Sequence, residues 1–474
     1  MLLCNRTFLM APLVATVLAL AGCATPIDSR PVNQPLQAQR DTPPPPTDIV
    51  GEHVIGLSFS GGGLRAAAFA FGVLQALSQG ARGQPGVLDD IGFISSVSGG
   101  SLAAAYYGLH GPAMLTDFRA RVLLQDMERR MLLSAFSPSN LMRLLNGGLN
   151  DRSNLADWLD REVFKGATFA DLHRRKKPDI WINATDVYNR TPFVFSPAAF
   201  EAICSDLSGF AVAEAVHASM AVPLVFAPVV LQSFPQACAT PLPAWVGRVA
   251  QDPGASRSAL AVAQAVQNYR DPARQRYLKL VDGGVTDNYG LTSIMVGRAA
   301  GGTAHAPLTA RDAVQVRRML FLVVDAGRSP SGDWSLQPEG PSAVDMALAA
   351  TDSAIDSATR LGFEVFRNTL AQWEADVRRF RCALGADELK TLREPDPPGT
   401  PWDCRDVRFD LGVIRFSDLD SARAGQLNRI PTRLTLPAAD IDAAIEAGRD
   451  AALLNTPLRR YRAERGSVTS PGDR

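Results

Sequence analysis

The sequence predicts an α/β fold with a mainly parallel central sheet and helices on both faces. Short apolar runs of strand length alternate with helical stretches over residues 52–330, and that alternation is typical of parallel sheets covered by helices. The predicted strands are His53–Phe59, Ile91–Val97, Asp179–Ala184, Leu278–Asp282 and Met319–Asp325.

The C-terminal third, residues 331–458, is predicted to extend this sheet. Residues 342–382 have a helical pattern without proline, residues 407–416 alternate like a half-exposed strand, and residues 437–454 form a helix with acids in its first turn. We therefore expect an added edge strand and helix packed on the domain formed by residues 52–330, followed by a disordered tail at 459–474.

Composition describes an ordinary globular protein. The chain has 474 residues, of which 46% are hydrophobic and 20% charged, with 48 basic and 48 acidic side chains. Such a chain has ample core for one large domain. A net charge of zero argues against a nucleic-acid partner and offers no long-range attraction to anionic lipid.

The most informative motif follows the second predicted strand, where Ser98 precedes Gly99 and Gly100 and a small-residue helix begins. A sharp turn from strand to helix pushes a serine hydroxyl out of the chain, and glycines remove the Cβ atoms that would clash there. The helix start also supplies unpaired amides beside the hydroxyl. This pattern is typical of a nucleophilic serine, although Ser-Gly-Gly-Ser also occurs in plain loops.

A glycine-rich turn follows the first predicted strand. Gly61, Gly62 and Gly63 precede Leu64, Arg65 and an apolar helix. Bare amides at a helix start hold anions, so these glycines are candidate oxyanion donors. A nucleotide phosphate loop is disfavoured because the Lys of the Walker motif is missing and the glycine spacing is not that of a dinucleotide fold. A tight turn is the structural alternative.

An aspartate ends the fourth predicted strand. Asp282 is followed by Gly283 and Gly284. Partial desolvation at the end of a buried strand raises a carboxyl pKa toward the range of a general base. Asp-Gly is also the commonest turn dipeptide, so this motif alone favours a turn.

Taken in order, Gly-Gly-Gly-Leu-Arg, Ser-Val-Ser-Gly-Gly and Asp-Gly-Gly resemble the motifs of the patatin-like phospholipase family, and the resemblance covers residues 52–330. It implies a three-layer α/β fold and lipid acyl hydrolysis by a serine–aspartate dyad. Ser98 would be the nucleophile, Asp282 the general base and Gly61 to Gly63 the oxyanion hole, with Arg65 matching the arginine after the family's glycines. No cofactor or metal is implied.

One residue departs from the family pattern. Its serine motif is Gly-x-Ser-x-Gly, and Ser96 stands here where the first glycine is expected. Serine is small, so the turn should form if Ser96 is extended.

The histidine inventory favours a dyad over a triad. Of the five histidines only His305 follows the candidate acid, as the chain order of an α/β-hydrolase triad requires. His305 lies in a glycine-rich segment that is predicted to be a surface loop. None of the five has metal-ligand spacing to another.

The N-terminus predicts export. Residues 1–22 carry one early arginine and a short apolar core, and they end in Leu20-Ala21-Gly22 before Cys23. This ending resembles a bacterial lipoprotein signal, in which Cys23 is lipidated after cleavage. An ordinary cleaved signal is the alternative. Ala24 in place of aspartate points to the periplasmic face of the outer membrane, in the cell envelope.

Residues 23–51 are predicted to be a proline-rich spacer between this anchor and the folded domain, because a run of four prolines favours an extended arm.

Four cysteines remain after Cys4 and Cys23 are set aside. An even number in an oxidising compartment suggests two disulfides, and Cys204 with Cys238 and Cys382 with Cys404 would close the shortest loops of the three possible connectivities. Four buried free thiols are the alternative.

Residues 131–136 and 141–145 are apolar with few charges. Packing of a helical cap is the favoured interpretation, and an acyl-binding lid is the functional one.

These features predict a serine acyl hydrolase, tethered to a membrane by its lipid anchor and acting on a phospholipid or another acyl ester. Acyl transfer, hydrolysis of a non-lipid ester, and a catalytically inactive lipid-binding or scaffold lipoprotein stay open as alternatives. The sequence predicts no oligomeric state.

Overall fold

An eight-stranded mixed sheet forms the centre of the computed structural model. The structure describes residues 30–36 and 51–468, with gaps at 81–84, 130–147, 151, 176, 239, 330–332, 337, 339 and 394–401. The strands are β1 His53–Phe59, β2 Ile91–Val97, β3 Gly148–Asn150, β4 Asp179–Asp186, β5 Thr191–Phe195, β6 Leu224–Phe226, β7 Val229–Gln232, β8 Tyr277–Asp282, β9 Arg318–Asp325 and β10 Arg408–Arg415.

The strand order is β10-β9-β1-β2-β4-β8-β7, and β5 lies beside β4. The neighbours from β10 to β4 are parallel, whereas β8 runs antiparallel to both β4 and β7, and β5 runs antiparallel to β4. The expected α/β class with a mainly parallel sheet is confirmed. β3 and β6 form a separate two-stranded sheet.

Helices cover both faces of the sheet. They are α1 Gly63–Ser78, α2 Gly99–His110, α3 Met114–Phe118, α4 Arg152–Trp158, α5 Phe169–His173, α6 Pro197–Ala202, α7 Val212–Met220, α8 Ala244–Gln251, α9 Arg257–Arg270, α10 Gly284–Asp287, α11 Thr292–Gly301, α12 Ala310–Gln315, α13 Ala343–Ala383, α14 Ala386–Leu392, α15 Ser421–Arg429, α16 Ala438–Leu454 and α17 Thr456–Val468.

Alternate residues of the central strands enter two separate cores, as strand geometry requires. On β9, Leu320 and Leu322 belong to the larger core, which includes α1, α2 and α16. Phe321 and Val323 belong to the smaller core on the opposite face, under the C-terminal half of α13. Two cores on either side of one sheet make the three-layer arrangement.

The C-terminal extension completes the sheet as expected. β10 pairs with β9 along its whole length, from Arg408 opposite Arg318 to Arg415 opposite Asp325. α16 crosses α1 at close range, because a Cβ on Gly448 would lie 2.1 Å from the carbonyl oxygen of Phe69. This contact leaves no room for a side chain.

The expectation of a disordered tail at 459–474 is wrong for its first ten residues, which belong to α17. Tyr461 is 2% exposed and its hydroxyl donates to Asp90, 3.1 Å away. Arg318 donates to Glu464 at 2.6 Å. The polar composition of this segment suggested that it is exposed to solvent, but α17 is held in place by side chains that are distant in the chain. Residues 469–474 lie outside the described part.

The spacer prediction for 23–51 is wrong for residues 30–36, which dock beside β7. The Asn33 amide donates to the carbonyl of Gln232 at 2.9 Å and accepts from its N–H at 2.8 Å. The N–H of Val32 donates to Val230 at 3.0 Å. Asn33 is 4% exposed. The docking depends on an unpaired sheet edge that composition cannot reveal.

Two disulfides are present. Cys204 is bonded to Cys238 and Cys382 to Cys404. Within the described ranges, no helix is both long and apolar enough to cross a bilayer. The signal segment 1–22, Cys23, the proline run and the apolar segments 131–136 and 141–145 lie outside the described residues.

Candidate active site

The turn from β2 into α2 holds Ser98 in a strained conformation. Its φ and ψ are 51° and −126°, a region that non-glycine residues rarely adopt and that a strand-to-helix elbow imposes on its serine. Gly99 follows at a very close approach, since a Cβ there would lie 1.9 Å from the Gly63 carbonyl oxygen. The elbow therefore rests directly on the glycine turn after β1.

Ser96 takes the place of the first motif glycine without disturbing this elbow. It lies in β2 and is fully buried, and its hydroxyl donates to the carbonyl of Trp181 at 3.1 Å. The strand conformation removes the need for a glycine, and the hydrogen bond satisfies the buried hydroxyl.

Ser98 and Asp282 meet because two strands end against each other. β2 pairs with β4 up to Val97 opposite Asn183, and β8 pairs with β4 from the opposite direction up to Asp282 opposite Ala184. Since β5 occupies the other edge of β4 there, β2 and β8 share one edge and point their carboxyl ends at one another. The Ser98 hydroxyl donates to Asp282 Oδ2 at 2.7 Å.

Burial sets the proton affinity of Asp282. The side chain is 7% exposed, and loss of water raises its pKa to about 6, against the hydrogen bonds from Ser98 and from the Gly284 amide, which lower it. The Gly284 N–H lies 2.8 Å from Oδ1. A carboxylate in this state is ionised at neutral pH and still basic enough to accept a proton from a serine.

The glycine turn places its amides beside Ser98. A Cβ on Gly61 would lie 3.2 Å from the Ser98 Cβ. However, the Gly61 N–H already donates to Asn288 Oδ1 at 3.1 Å. The amides of Gly62 and Gly63 form no hydrogen bond within the described residues. This corrects the expectation of three donors: two amides are open for an oxyanion.

Two site residues were missed by the sequence analysis. Asn288 contacts the Gly61 amide, and its Oδ1 lies 3.0 Å from the Cβ position of Gly284, which places it between the two candidate loops. Ser219 Oγ accepts the Ser98 N–H at 2.8 Å and donates to the Asn183 carbonyl at 2.6 Å. The sequence assigned no role to either residue, because their partners are distant in the chain and only the fold shows them.

Arg65 donates to backbone carbonyls of neighbouring segments. It is 2% exposed and donates to the carbonyls of Ala326 at 3.1 Å and Ile430 at 2.6 Å. It therefore ties the glycine turn to β9 and to the segment before α16. The remaining motif glycines mark close backbone contacts, Gly100 with Phe59 and Gly283 with Asn183.

The hydrogen bonds of the Asp282 carboxylate come from Ser98 and the Gly284 amide and not from a histidine. His305 lies instead against Phe380 of α13, with ring centroids 4.3 Å apart, and its carbonyl accepts from the Trp373 indole at 3.1 Å. It belongs to a different part of the fold, packed against α13.

Residues 57–295, just over half of the chain, match the family model of patatin-like phospholipase. The chain belongs to the patatin-like phospholipase family. This is a family of lipid acyl hydrolases, and the matched range contains both strands that end at Ser98 and Asp282. The three-layer fold and the family suggested by the motifs are confirmed.

The solved structures similar to this patatin-like chain include two of one human enzyme. They are human GIVD cytosolic phospholipase A2, with 14% identity and a TM-score of 0.37, and the same human enzyme in complex with methyl gamma-linolenyl fluorophosphonate and terbium chloride, with 15% identity and a TM-score of 0.29. Each match covers 87% of this chain and 60% of the human chain. At these TM-scores the likeness carries no argument about function. No curated protein matches the sequence.

Proposed function

We propose that this patatin-like chain is a lipid-anchored serine hydrolase that cleaves the acyl ester of a phospholipid with a Ser98–Asp282 dyad. The observation that carries the proposal is the 2.7 Å hydrogen bond from the Ser98 hydroxyl to Asp282, between two strand ends and beside two open amides. The family match supports the lipid ester as substrate class.

In the first half-reaction, Ser98 Oγ attacks the ester carbonyl carbon while Asp282 accepts the hydroxyl proton. The carbonyl electrons move to the oxygen, and the amides of Gly62 and Gly63 stabilise the oxyanion by about 3 kcal/mol per donor. The tetrahedral intermediate then collapses. Asp282 returns the proton to the departing alkoxide, and the acyl group stays on Ser98.

In the second half-reaction, water takes the place of the serine hydroxyl. Asp282 accepts a proton from the water as its oxygen attacks the acyl carbonyl, and the same two amides hold the oxyanion. Collapse releases the carboxylic acid, and the proton returns from Asp282 to Ser98 Oγ. A carboxyl group with a pKa of about 6 suits both directions of transfer at neutral pH.

A fluorophosphonate probe tests the nucleophile. We expect covalent labelling of the purified chain at Ser98, no labelling of Ser98→Ala, and loss of ester hydrolysis in that variant with an unchanged circular dichroism spectrum. His305→Ala is the control and should keep the wild-type rate. Labelling elsewhere, or turnover by a folded Ser98→Ala variant, would remove Ser98 from the mechanism. A folded wild type that shows neither labelling nor turnover would favour the alternative of a catalytically inactive scaffold lipoprotein.

Product analysis separates hydrolysis from acyl transfer. With a phospholipid substrate in water, we expect free fatty acid in a ratio of one to one with the lysolipid. Acyl groups recovered mainly on an added alcohol would point to a transferase using the same dyad.

Fractionation tests the proposed anchor on Cys23. We expect the wild type in the membrane fraction of the cell envelope, extracted by detergent and not by salt, because a diacylated and amide-acylated cysteine holds a bilayer almost irreversibly. Cys23→Ala should be unprocessed or released. A wild-type protein that is soluble, with an unmodified N-terminus, would overturn the anchor and leave the dyad untouched.

A further inference from the structure

Exposed apolar and basic side chains lie together where the β4–β5 turn meets the start of β8. Val187, Tyr188 and Tyr277 are 49%, 60% and 43% exposed. The Val187 N–H donates to the Lys279 carbonyl at 3.1 Å, and the Lys279 ammonium lies 5.9 Å from the Tyr277 ring centroid. We name this surface the hairpin ridge and define it by six residues: Val187, Tyr188, Arg190, Arg276, Tyr277 and Lys279.

The cations of the ridge are available to a partner. Arg190, Arg276 and Lys279 are exposed, and none of them forms an ion pair within the described residues. The carboxylate nearest to Arg190 in sequence, Asp186, is fully buried beneath the turn. The ridge is therefore locally positive in a chain whose net charge is zero.

A buried polar network holds the ridge in place. Asp186 accepts from the backbone N–H of Tyr188 at 3.1 Å and from the Tyr269 hydroxyl at 3.0 Å. Asn189 donates to Asp186 at 2.6 Å and accepts from Asn268 at 2.7 Å. Burying a carboxylate is unfavourable unless it is fully hydrogen-bonded, as it is here. The network keeps the apolar tip of the turn pointing out of the core, so its exposed apolar surface contributes no hydrophobic stabilisation to the fold.

The ridge lies at the catalytic end of the sheet. β4 continues beyond the level of Ser98 to reach the turn, and Tyr277 precedes Asp282 by five residues of β8, about 17 Å along a strand. The docked N-terminal segment adjoins it, because Asn33 binds Gln232, which pairs with Tyr277. From Arg30 back to Cys23 the chain spans at most about 25 Å.

We propose that the hairpin ridge is the surface by which the enzyme lies on an anionic phospholipid membrane. Tyrosine suits the boundary between headgroups and acyl chains, and nearby arginine and lysine attract anionic headgroups. The ridge has this composition, it faces outward, and it adjoins the segment that leads to the anchor. The inference rests on the proposed function for its lipid substrate and anchor.

Vesicle sedimentation tests the ridge without the anchor. A chain that begins at residue 24 retains every residue the structure describes and carries no lipid. We expect it to bind phosphatidylcholine vesicles containing phosphatidylglycerol and to release them as salt rises. Replacing Arg190, Arg276 and Lys279 together with glutamine should weaken binding about 100-fold, at about five-fold per cation. Tyr188→Ala with Tyr277→Ala should weaken binding to charged and neutral vesicles alike.

The matched control uses three exposed cations outside the ridge and replaces them with glutamine: Arg161, Arg257 and Arg311. It should bind as the wild type does. Each variant is also assayed with a soluble short-chain ester, whose rate should not change because no ridge residue contacts the dyad. If the wild type itself does not hydrolyse the soluble ester, that result would contradict the proposed function and not the ridge.

Three outcomes overturn the ridge proposal. The first is a wild-type chain that sediments with neither vesicle, and the second is equal weakening by the ridge and control variants. The third is a protein that is oligomeric in solution and becomes monomeric when the tyrosines are removed, which would make the ridge a contact between protein chains.

Discussion

Replacing Asp282 with asparagine should remove activity and stabilise the fold at the same time. Asparagine keeps an oxygen for the Gly284 amide and offers an NH₂ group to Ser98 Oγ, so both hydrogen bonds of the carboxylate have a counterpart. The loss of the general base should lower the rate of ester hydrolysis by about 10²- to 10⁴-fold.

The stability change follows from the pKa of Asp282, which burial raises from 3.8 to about 6. Because the folded pKa lies above the unfolded one, the native state holds the proton more tightly, and its stability falls as pH rises from about 4 to 6. Above pH 6 the wild type carries the full penalty, roughly 3 kcal/mol. The neutral amide of the variant has no such penalty, so Asp282→Asn should gain up to that amount at pH 8 and almost none at pH 4.

Urea-induced unfolding at pH 4 and pH 8, followed by near-ultraviolet circular dichroism with the disulfides intact, measures the difference. Ser98→Ala is the matched control, since it removes activity and leaves the buried carboxylate in place. An asparagine variant that is less stable than the wild type at pH 8, or a stability difference that does not depend on pH, would refute the assignment of Asp282 as a desolvated base.

Three further predictions follow from particular contacts. The kcat/KM for a soluble short-chain ester should fall below a midpoint near pH 6 as Asp282 is protonated, and a profile that is flat between pH 5 and 8 would speak against this base. Asn288→Ala removes the closer, side-chain acceptor of the Gly61 N–H and leaves the Asn288 carbonyl at 3.4 Å, so kcat should fall about two- to ten-fold with little change in KM, as a steady-state comparison would show. Gly448→Ala places a Cβ 2.1 Å from the Phe69 carbonyl oxygen and should lower the free energy of unfolding by about 1–3 kcal/mol, as measured by a thermal melt. An unchanged melting temperature would mean that α16 is free to move away from α1.

The sequence by itself determined the local turns at the site. Ser98 at a strand–helix junction, the glycines at 61–63 and Asp282 at a strand end are all recognisable because each depends on a few consecutive residues. Glycine has no Cβ to clash in a strained turn, and apolar runs of strand length bury themselves. The alternation of such runs with helical stretches was likewise sufficient for the α/β class.

Only the tertiary structure decided how these pieces meet. β2 and β8 reach one edge of β4 from opposite directions, and this register brings Ser98 to Asp282 and buries the carboxylate. The same packing engages the Gly61 amide with Asn288 and turns Arg65 toward Ala326. The docked segment at Asn33 and the helix around Tyr461 were missed for the same reason. Their partners are distant in the chain, so no local pattern of polarity reveals them, and the contacts exist only once the sheet is assembled.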